Sequence, residues 1–97
     1  MGFKPFKKHS NSGIKIAKRV DATGLYCPAP IAILKVGLEE IKNSEIIEII
    51  ADDPKFGDDL QRWCSLTGNE LLDLIEDKKG FYFGYIKKKL DSNYYLR

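Results

Sequence analysis

One cysteine stands directly before two closely spaced prolines, in the stretch Gly24-Leu25-Tyr26-Cys27-Pro28-Ala29-Pro30. The apolar residues that follow recur at helical spacing, which predicts a helix that begins at Pro28, where a missing N–H costs nothing. Pro30 falls in the first turn, where its ring does not break the helix. We therefore expect Cys27 at or next to the helix N-cap, facing unpaired N–H groups and the positive end of the helix dipole.

The chemistry expected of Cys27 is that of a reactive thiol. A helix N-terminus favours thiolate over thiol and lowers a cysteine pKa to roughly 3.5–7.5, and this stretch offers no other strong nucleophile. Free cysteines are also among the most buried residues and often behave as small hydrophobic side chains. The residues alone therefore leave a structural, unreactive Cys27 open as the alternative.

Length and composition indicate one small domain. The chain of 97 residues suffices for one hydrophobic core, and its net charge of +2 is too small to imply nucleic-acid binding by itself. It contains no apolar run as long as a membrane span and no secretory signal at its start, so we expect a cytoplasmic protein without membrane insertion. In that compartment Cys27 and Cys64 are expected as free thiols. The single histidine, His9, argues against a zinc site; no metal and no cofactor are expected.

The chain is predicted to consist of a central domain and two short terminal segments. Residues 1–13 predict a flexible basic N-terminal arm, residues 14–90 the domain, and residues 91–97 a short C-terminal tail. Alternation and β-branched runs predict four strands, at residues 14–21, 45–51, 70–76 and 81–88. Helical spacing predicts two helices, at residues 28–42 and 54–67.

The resulting order is β-α-β-α-β-β. A strand, a helix and a second strand form a unit with parallel strands and a right-handed crossover. The last two strands form a hairpin whose link ends at Gly80. Two helices on one face of a four-stranded mixed sheet give an α/β (α+β) two-layer sandwich, which leaves the other sheet face more exposed.

A second junction between loop and helix contains Asp52, Asp53 and Pro54. Asp53 is expected to cap the second helix, Pro54 to take its first position and Asp52 to be solvated. Gly68 fits the left-handed position after that helix. The buried stripe of the helix is expected to consist of Phe56, Leu60, Trp63 and Thr67. Cys64 lies one step off this stripe and is expected to be a buried filler. Disulfide reach to Cys27 is not expected, because the two thiols lie in different elements.

The stretch Asp21-Ala22-Thr23-Gly24-Leu25-Tyr26-Cys27-Pro28-Ala29-Pro30 resembles the D-x-x-G-x-x-C-P-x-P signature of the TusA/SirA-like sulfur-carrier proteins. The junction Ile50-Ala51-Asp52-Asp53-Pro54 is similar to the one before that family's second helix, and the resemblance covers roughly residues 16–88. It implies the same β-α-β-α-β-β fold and a persulfide carried on Cys27. Gly24, Pro28 and Pro30 are expected to shape the helix N-terminus that supports the thiolate.

The resemblance implies sulfur relay rather than an enzyme with its own turnover. Such carriers take sulfane sulfur from a cysteine desulfurase or a rhodanese-like donor and pass it to an acceptor protein thiol. The settings implied are tRNA thiolation, cofactor sulfuration and the metabolism of sulfur compounds such as thiosulfate, and the sequence does not choose among them. Independently of the resemblance, the residues place Lys35 two turns along the first helix, and Arg19 or Lys87 could approach Cys27 from the sheet.

Three other functions are left open by the residues. A thiol redox protein is disfavoured because the motif is C-P-A-P rather than C-x-x-C. A nucleic-acid-binding module would use the basic arm, the lysines at 87–89 and a stripe of aromatic residues in the last strand as a stacking platform. A regulatory adaptor would use the exposed sheet face and the helix start as a docking surface.

Overall fold

The computed structural model describes residues 15–89. Its six elements confirm the predicted order: β1 (Ile16–Asp21), α1 (Ala29–Glu39), β2 (Ile46–Ala51), α2 (Phe56–Thr67), β3 (Glu70–Glu76) and β4 (Tyr82–Lys87). The predicted arm and tail lie outside the described residues, so the division into arm, domain and tail stays a prediction.

The four strands form one mixed sheet with the order β1-β2-β4-β3. β1 and β2 are parallel, and β4 is antiparallel to both β2 and β3, as the predicted βαβ unit and hairpin require. Parallel strands end at the same edge of a sheet, so the loops that follow them leave side by side. The β1–α1 loop, which contains Cys27, therefore meets the β2–α2 loop, which contains Asp52 and Asp53.

The core lies between the two helices and one face of the sheet. β2 is a central strand, and its burial alternates because the helices cover only one of its faces. Ile47, Ile49 and Ala51 point to the helices and are fully buried, whereas Ile46 and Ile50 are half-buried on the open face.

Gly37 allows α1 to approach the sheet closely. A Cβ at this position would lie 2.7 Å from Cδ1 of Ile47 and 3.1 Å from Cγ2 of Val20, two buried side chains of the sheet. Glycine inside a helix costs about 1 kcal/mol relative to alanine. The close contact between helix and sheet explains why the chain carries a glycine here.

The buried stripe of α2 differs from the prediction at one position. Phe56, Leu60 and Thr67 are buried as predicted, but Cys64 rather than Trp63 completes the stripe. Trp63 is half-buried and packs against the edge of the core, because position 63 lies beside the face that points directly at the sheet. Gly68 ends the helix in the left-handed conformation, with φ +84°, and its N–H donates to the Cys64 carbonyl at 2.9 Å, as predicted.

Both helices begin later than the sequence predicts. Pro28 is the N-cap of α1 rather than its first helical residue, and Pro30 occupies the first turn. Lys55 is the N-cap of α2 and no side chain caps the helix, so the predicted cap Asp53 and the predicted first helical residue Pro54 both lie before it. None of the helices among residues 15–89 is long and apolar enough to cross a membrane.

Candidate functional site

The β1–α1 loop is fixed to the end of the sheet by its backbone. The N–H of Ala22 donates to the Ile50 carbonyl at 2.7 Å, which continues the pairing of β1 with β2. Gly24 then turns the chain with φ +83°, a left-handed conformation that glycine adopts without steric cost. Its N–H donates to Oδ1 of Asp52 at 2.9 Å. Asp52 is exposed to solvent, as expected, and its carboxylate in addition holds the turn.

Asp53 joins the loop of Cys27 to the start of α2. Its Oδ2 accepts the Cys27 N–H at 2.7 Å and its Oδ1 accepts the Lys55 N–H at 3.2 Å. The side chain is only 5% exposed. The backbone hydrogen bonds from Cys27 and Lys55 lower the pKa of Asp53 below its ordinary value of 3.8, since both stabilise the ionised carboxylate. Asp53 thus caps the turn before α2 and, in addition, positions Cys27.

Cys27 lies one residue before the N-cap of α1, next to the cap as predicted. Its side chain is half-buried between two exposed neighbours, Tyr26 at 73% and Pro28. The Cys27–Pro28 peptide bond is cis. The Ala29 N–H donates to the Tyr26 carbonyl at 2.9 Å, which closes a turn around the cysteine. The thiol is therefore held on a rigid junction close to solvent.

The pKa of the Cys27 thiol is raised to about 12, opposite in direction to the shift that the helix N-terminus by itself favours. Partial burial is the largest cause, because it withdraws water from the sulfur anion. The carboxylates of Asp59 and Asp53 add to it, since their negative charges disfavour an anion on the Cys27 sulfur.

Comparison with known proteins places this site in a family. The model of the family described as Sulfurtransferase TusA matches residues 18–88. The chain belongs to the TusA sulfurtransferase family. Membership supports a sulfur-carrier role, and with it relay between a donor and an acceptor protein. The resemblance noted from the motif around Cys27 is thereby confirmed at the level of the family.

Individual relatives agree with the family model. The sulfur carrier protein TusA of Pseudomonas putida (strain W619) is 36% identical over 72 residues, which are 74% of this chain and 89% of the relative. The corresponding protein of Pseudomonas entomophila (strain L48) is 38% identical with the same coverage. The crystal structure of a SirA-like protein from Desulfitobacterium hafniense has a TM-score of 0.65 and 22% identity, covering 74% of this chain and 97% of that one. This last likeness shows the shared fold.

Asp59 is the residue of this TusA-family site that the sequence analysis missed. It lies in the first turn of α2, half-buried, and its Oδ1 accepts a hydrogen bond from Nη1 of Arg62 at 3.2 Å. Consecutive aspartates at 58 and 59 near a helix start look like ordinary partners of the helix dipole. The parallel pairing of β1 with β2 brings the start of α2 next to the loop of Cys27. That predicted pairing was the feature from which a role for Asp59 could have been inferred.

The cations predicted to approach Cys27 include two that the structure places elsewhere. Arg19 pairs with Oε1 of Glu48 at 2.7 Å, at a register position two residues before the end of β1. Lys87 on β4 lies opposite Ile46 in the antiparallel register with β2. Ile46 is the first residue of β2, so Lys87 lies at the end of the sheet away from the motif loop. The carboxylates of Asp59 and Asp53 are charged groups that raise the pKa of the Cys27 thiol.

Cys64 is a buried thiol of the core. It is 4% exposed, and burial raises its pKa to about 12. Both cysteines are free. Residues 15–89 contain no group of three or more His, Cys, Asp and Glu side chains arranged to hold a metal ion.

The open sheet face offers little to a nucleic acid at its centre. Tyr85 is only 7% exposed, and its hydroxyl donates to Oε2 of Glu48 at 2.7 Å. Asp73 on β3 lies opposite Tyr85 in the strand register. Tyr85 therefore has two carboxylates beside it on this face, those of Glu48 and Asp73. Tyr82 points the other way, toward Phe56 and the helices, with 6.1 Å between the ring centroids. Around Tyr85, the open sheet face therefore carries carboxylates and a buried ring rather than a basic stacking platform.

Proposed function

We propose that Cys27 carries sulfane sulfur as a persulfide, accepted from a cysteine desulfurase or a rhodanese-like donor and relayed to an acceptor protein thiol. The observation that carries the proposal is the placement of Cys27, held by Asp53 on a rigid junction and flanked by the exposed Tyr26. Cys64, the other thiol of the chain, is 4% exposed inside the core. A donor persulfide therefore reaches the sulfur of Cys27 and not that of Cys64.

Loading of Cys27 exchanges one S–S bond for another. The Cys27 sulfur attacks the outer sulfur of the donor persulfide, the donor S–S bond breaks, and its electron pair leaves with the donor cysteine. The proton that Cys27 loses ends on that leaving thiolate. Neither an external oxidant nor an external reductant is needed. Delivery repeats the exchange, with the acceptor thiol as attacking group and Cys27 as leaving group.

The other motif residues shape the junction rather than react. Gly24 supplies the left-handed turn that its N–H fixes to Asp52. Pro28 and Pro30 occupy the cap and first turn of α1, where their missing N–H groups remove no helical hydrogen bond. A carrier of this kind has no turnover of its own. It works in the cytoplasm, where thiols stay reduced.

The test is sulfur loading followed by intact-mass spectrometry. The purified protein is incubated with a cysteine desulfurase and cysteine, and separately with a rhodanese and thiosulfate. We expect a gain of one sulfur mass that disappears on reduction, because a persulfide is a reversible modification. The reaction that loads the protein identifies the class of donor. Transfer from the loaded protein to candidate acceptors then separates tRNA thiolation, cofactor sulfuration and sulfur-compound metabolism.

Two single-cysteine variants make the assay specific. Cys64→Ser should load like the unaltered chain, whereas Cys27→Ser should gain no sulfur from either donor. The proposal is wrong if the unaltered protein takes no sulfur from any donor while Cys27 still reacts with an alkylating reagent. A function that persists in Cys27→Ser would point instead to a regulatory adaptor.

A further inference from the structure

Tyr26 is an exposed aromatic residue directly beside Cys27. Its side chain is 73% exposed, which leaves most of a large apolar ring in contact with water. The preceding residue, Leu25, is half-buried and packs against the core. The loop thus turns one large side chain inward and the next one outward. Packing within the domain therefore does not account for the ring of Tyr26.

The backbone around Tyr26 is fixed by hydrogen bonds. The Tyr26 carbonyl accepts the Ala29 N–H at 2.9 Å, and the N–H of the next residue, Cys27, donates to Oδ2 of Asp53 at 2.7 Å. A side chain on a fixed backbone loses less conformational freedom when a partner covers it than one on a mobile loop. The loop therefore presents the ring in an arrangement that is ready for contact.

The polar side chains of the same loop are engaged in holding it. Oδ1 of Asp21 accepts the N–H and the hydroxyl of Thr23, at 3.0 and 2.7 Å, and Oδ1 of Asp52 accepts the Gly24 N–H. These residues are exposed and add polar surface to the end of the sheet where Tyr26 lies. An aromatic residue with polar neighbours is the composition of a protein interface, whose centre is enriched in tyrosine and whose rim is polar.

Sulfur exchange with another protein brings that protein over Tyr26. The exchange requires direct contact between the Cys27 sulfur and a sulfur of the partner. Consecutive Cα atoms lie about 3.8 Å apart, whereas a standard interface covers roughly 800 Å² of each partner. A protein whose cysteine contacts Cys27 therefore also covers the exposed ring of Tyr26.

We propose that Tyr26 is the anchor by which a sulfur donor protein docks on this chain, and that the donor has an apolar recess beside its reactive cysteine. The proposal rests on the sulfur-carrier function proposed for Cys27. A recess is inferred because an aromatic side chain contributes most to binding where it is fully removed from water in a well-packed pocket. Tyr26 thereby selects the partner, while Cys27 exchanges the sulfur.

The test compares sulfur loading by a protein with loading by a small molecule. All variants carry Cys64→Ser, so that Cys27 is the one thiol measured. The protein donors are a cysteine desulfurase with cysteine and a rhodanese with thiosulfate, and the small donor is sodium tetrasulfide, which needs no docking surface. With a protein donor, Tyr26→Ser should raise the KM for the carrier about tenfold or more and leave kcat unchanged, because the ring acts in docking. Its rate of loading by tetrasulfide should equal that of the unaltered chain.

Leu66→Ser is the matched control, since it also removes an exposed hydrophobic side chain. Leu66 is 75% exposed in the last turn of α2, at the end of the sheet away from the motif loop. Its replacement should leave the KM unchanged. Tyr26→Phe keeps the ring and should likewise retain the KM of the unaltered chain. Tyr26→Gln should behave like Tyr26→Ser and decides the matter if circular dichroism shows that Tyr26→Ser has not folded.

The outcomes separate docking from sulfur transfer. An unchanged KM in Tyr26→Ser would overturn the docking proposal and leave the carrier function intact. A KM raised equally in Leu66→Ser or in Tyr26→Phe would also overturn it, because the effect would then not belong to the ring beside Cys27. Slower loading of Tyr26→Ser by tetrasulfide would show that Tyr26 acts on the sulfur instead. If the unaltered chain takes sulfur from none of these donors, the carrier function is wrong and the docking proposal is wrong with it.

Discussion

Asp53 connects the two halves of the site through a single buried carboxylate. Its hydrogen bonds from the Cys27 and Lys55 N–H groups stabilise the ionised form and lower its pKa. A group whose pKa is lowered by folding stabilises the folded state above its ordinary pKa, and this contribution is lost as the pH falls. The stability that Asp53 confers is therefore fully present at neutral pH and disappears in acid.

Replacement of Asp53 by asparagine should reveal this dependence. Asp53→Asn keeps one acceptor oxygen but loses the charge that the two N–H groups stabilise, so the free energy of unfolding should fall at neutral pH. The difference from the unaltered chain should shrink as the pH drops below 3.8, the ordinary pKa of the group. Urea unfolding followed by circular dichroism measures both effects.

Asp58→Asn serves as the control for Asp53→Asn, because Asp58 is exposed near the start of the same helix. Its free energy of unfolding should fall at neutral pH by no more than the interaction of an exposed first-turn carboxylate with the helix dipole, about 0.3–1 kcal/mol. A difference between Asp53→Asn and the unaltered chain that does not depend on pH would show that the charge of Asp53 contributes nothing to stability.

The end of α2 depends on backbone conformation at one residue. Gly68 has φ +84°, and a Cβ placed there would have no atom within 4 Å. An alanine at position 68 would thus meet no steric clash with its surroundings. It would lower the stability of the protein only because a residue with a Cβ disfavours a positive φ. The left-handed conformation costs a residue with a Cβ roughly 1–2 kcal/mol.

Gly68→Ala should accordingly lower the free energy of unfolding by about 1–2 kcal/mol, measured by urea unfolding. Gly68→Asn should lower the free energy of unfolding by less than Gly68→Ala does, since asparagine tolerates the left-handed conformation better than alanine. Ser65→Ala, on the exposed face of the same helix, is the control and should change stability by less than about 0.5 kcal/mol. An alanine variant as stable as the unaltered chain would show that α2 ends in another way in solution.

The two thiols of the molecule lie at different depths below its surface. Cys27 lies at the edge of the sheet where the two helix-preceding loops meet, whereas Cys64 lies under α2 within the core. Only opening of the packed domain exposes the second sulfur, because it is covered by both helix and sheet. Its reactivity therefore reports on the stability of the whole fold.

Alkylation of Cys27→Ser under native conditions should consequently be very slow and should accelerate as urea approaches the unfolding midpoint. Mass spectrometry counts the added groups, and Cys64→Ser provides the comparison in which Cys27 alone reacts. Rapid native alkylation of Cys64 would mean that α2 detaches from the sheet without global unfolding.

The sequence by itself determined the elements and their order. Apolar spacing, β-branched runs and the glycines at turns act within a few residues of each other, and so the β-α-β-α-β-β order, the left-handed Gly68 and the position of Cys27 beside the α1 cap followed from local patterns. The motif around Cys27 likewise predicted the TusA family, which the comparisons confirm.

Only the tertiary structure decided the electrostatics of the thiol. The helix N-terminus predicted a lowered pKa, but partial burial and the carboxylates of Asp59 and Asp53 raise it. These carboxylates are 32 and 26 residues away along the chain, and they reach Cys27 because β1 and β2 are parallel and end at one edge. A pKa depends on every charge and every lost water within a few ångströms, and a local pattern does not contain that information.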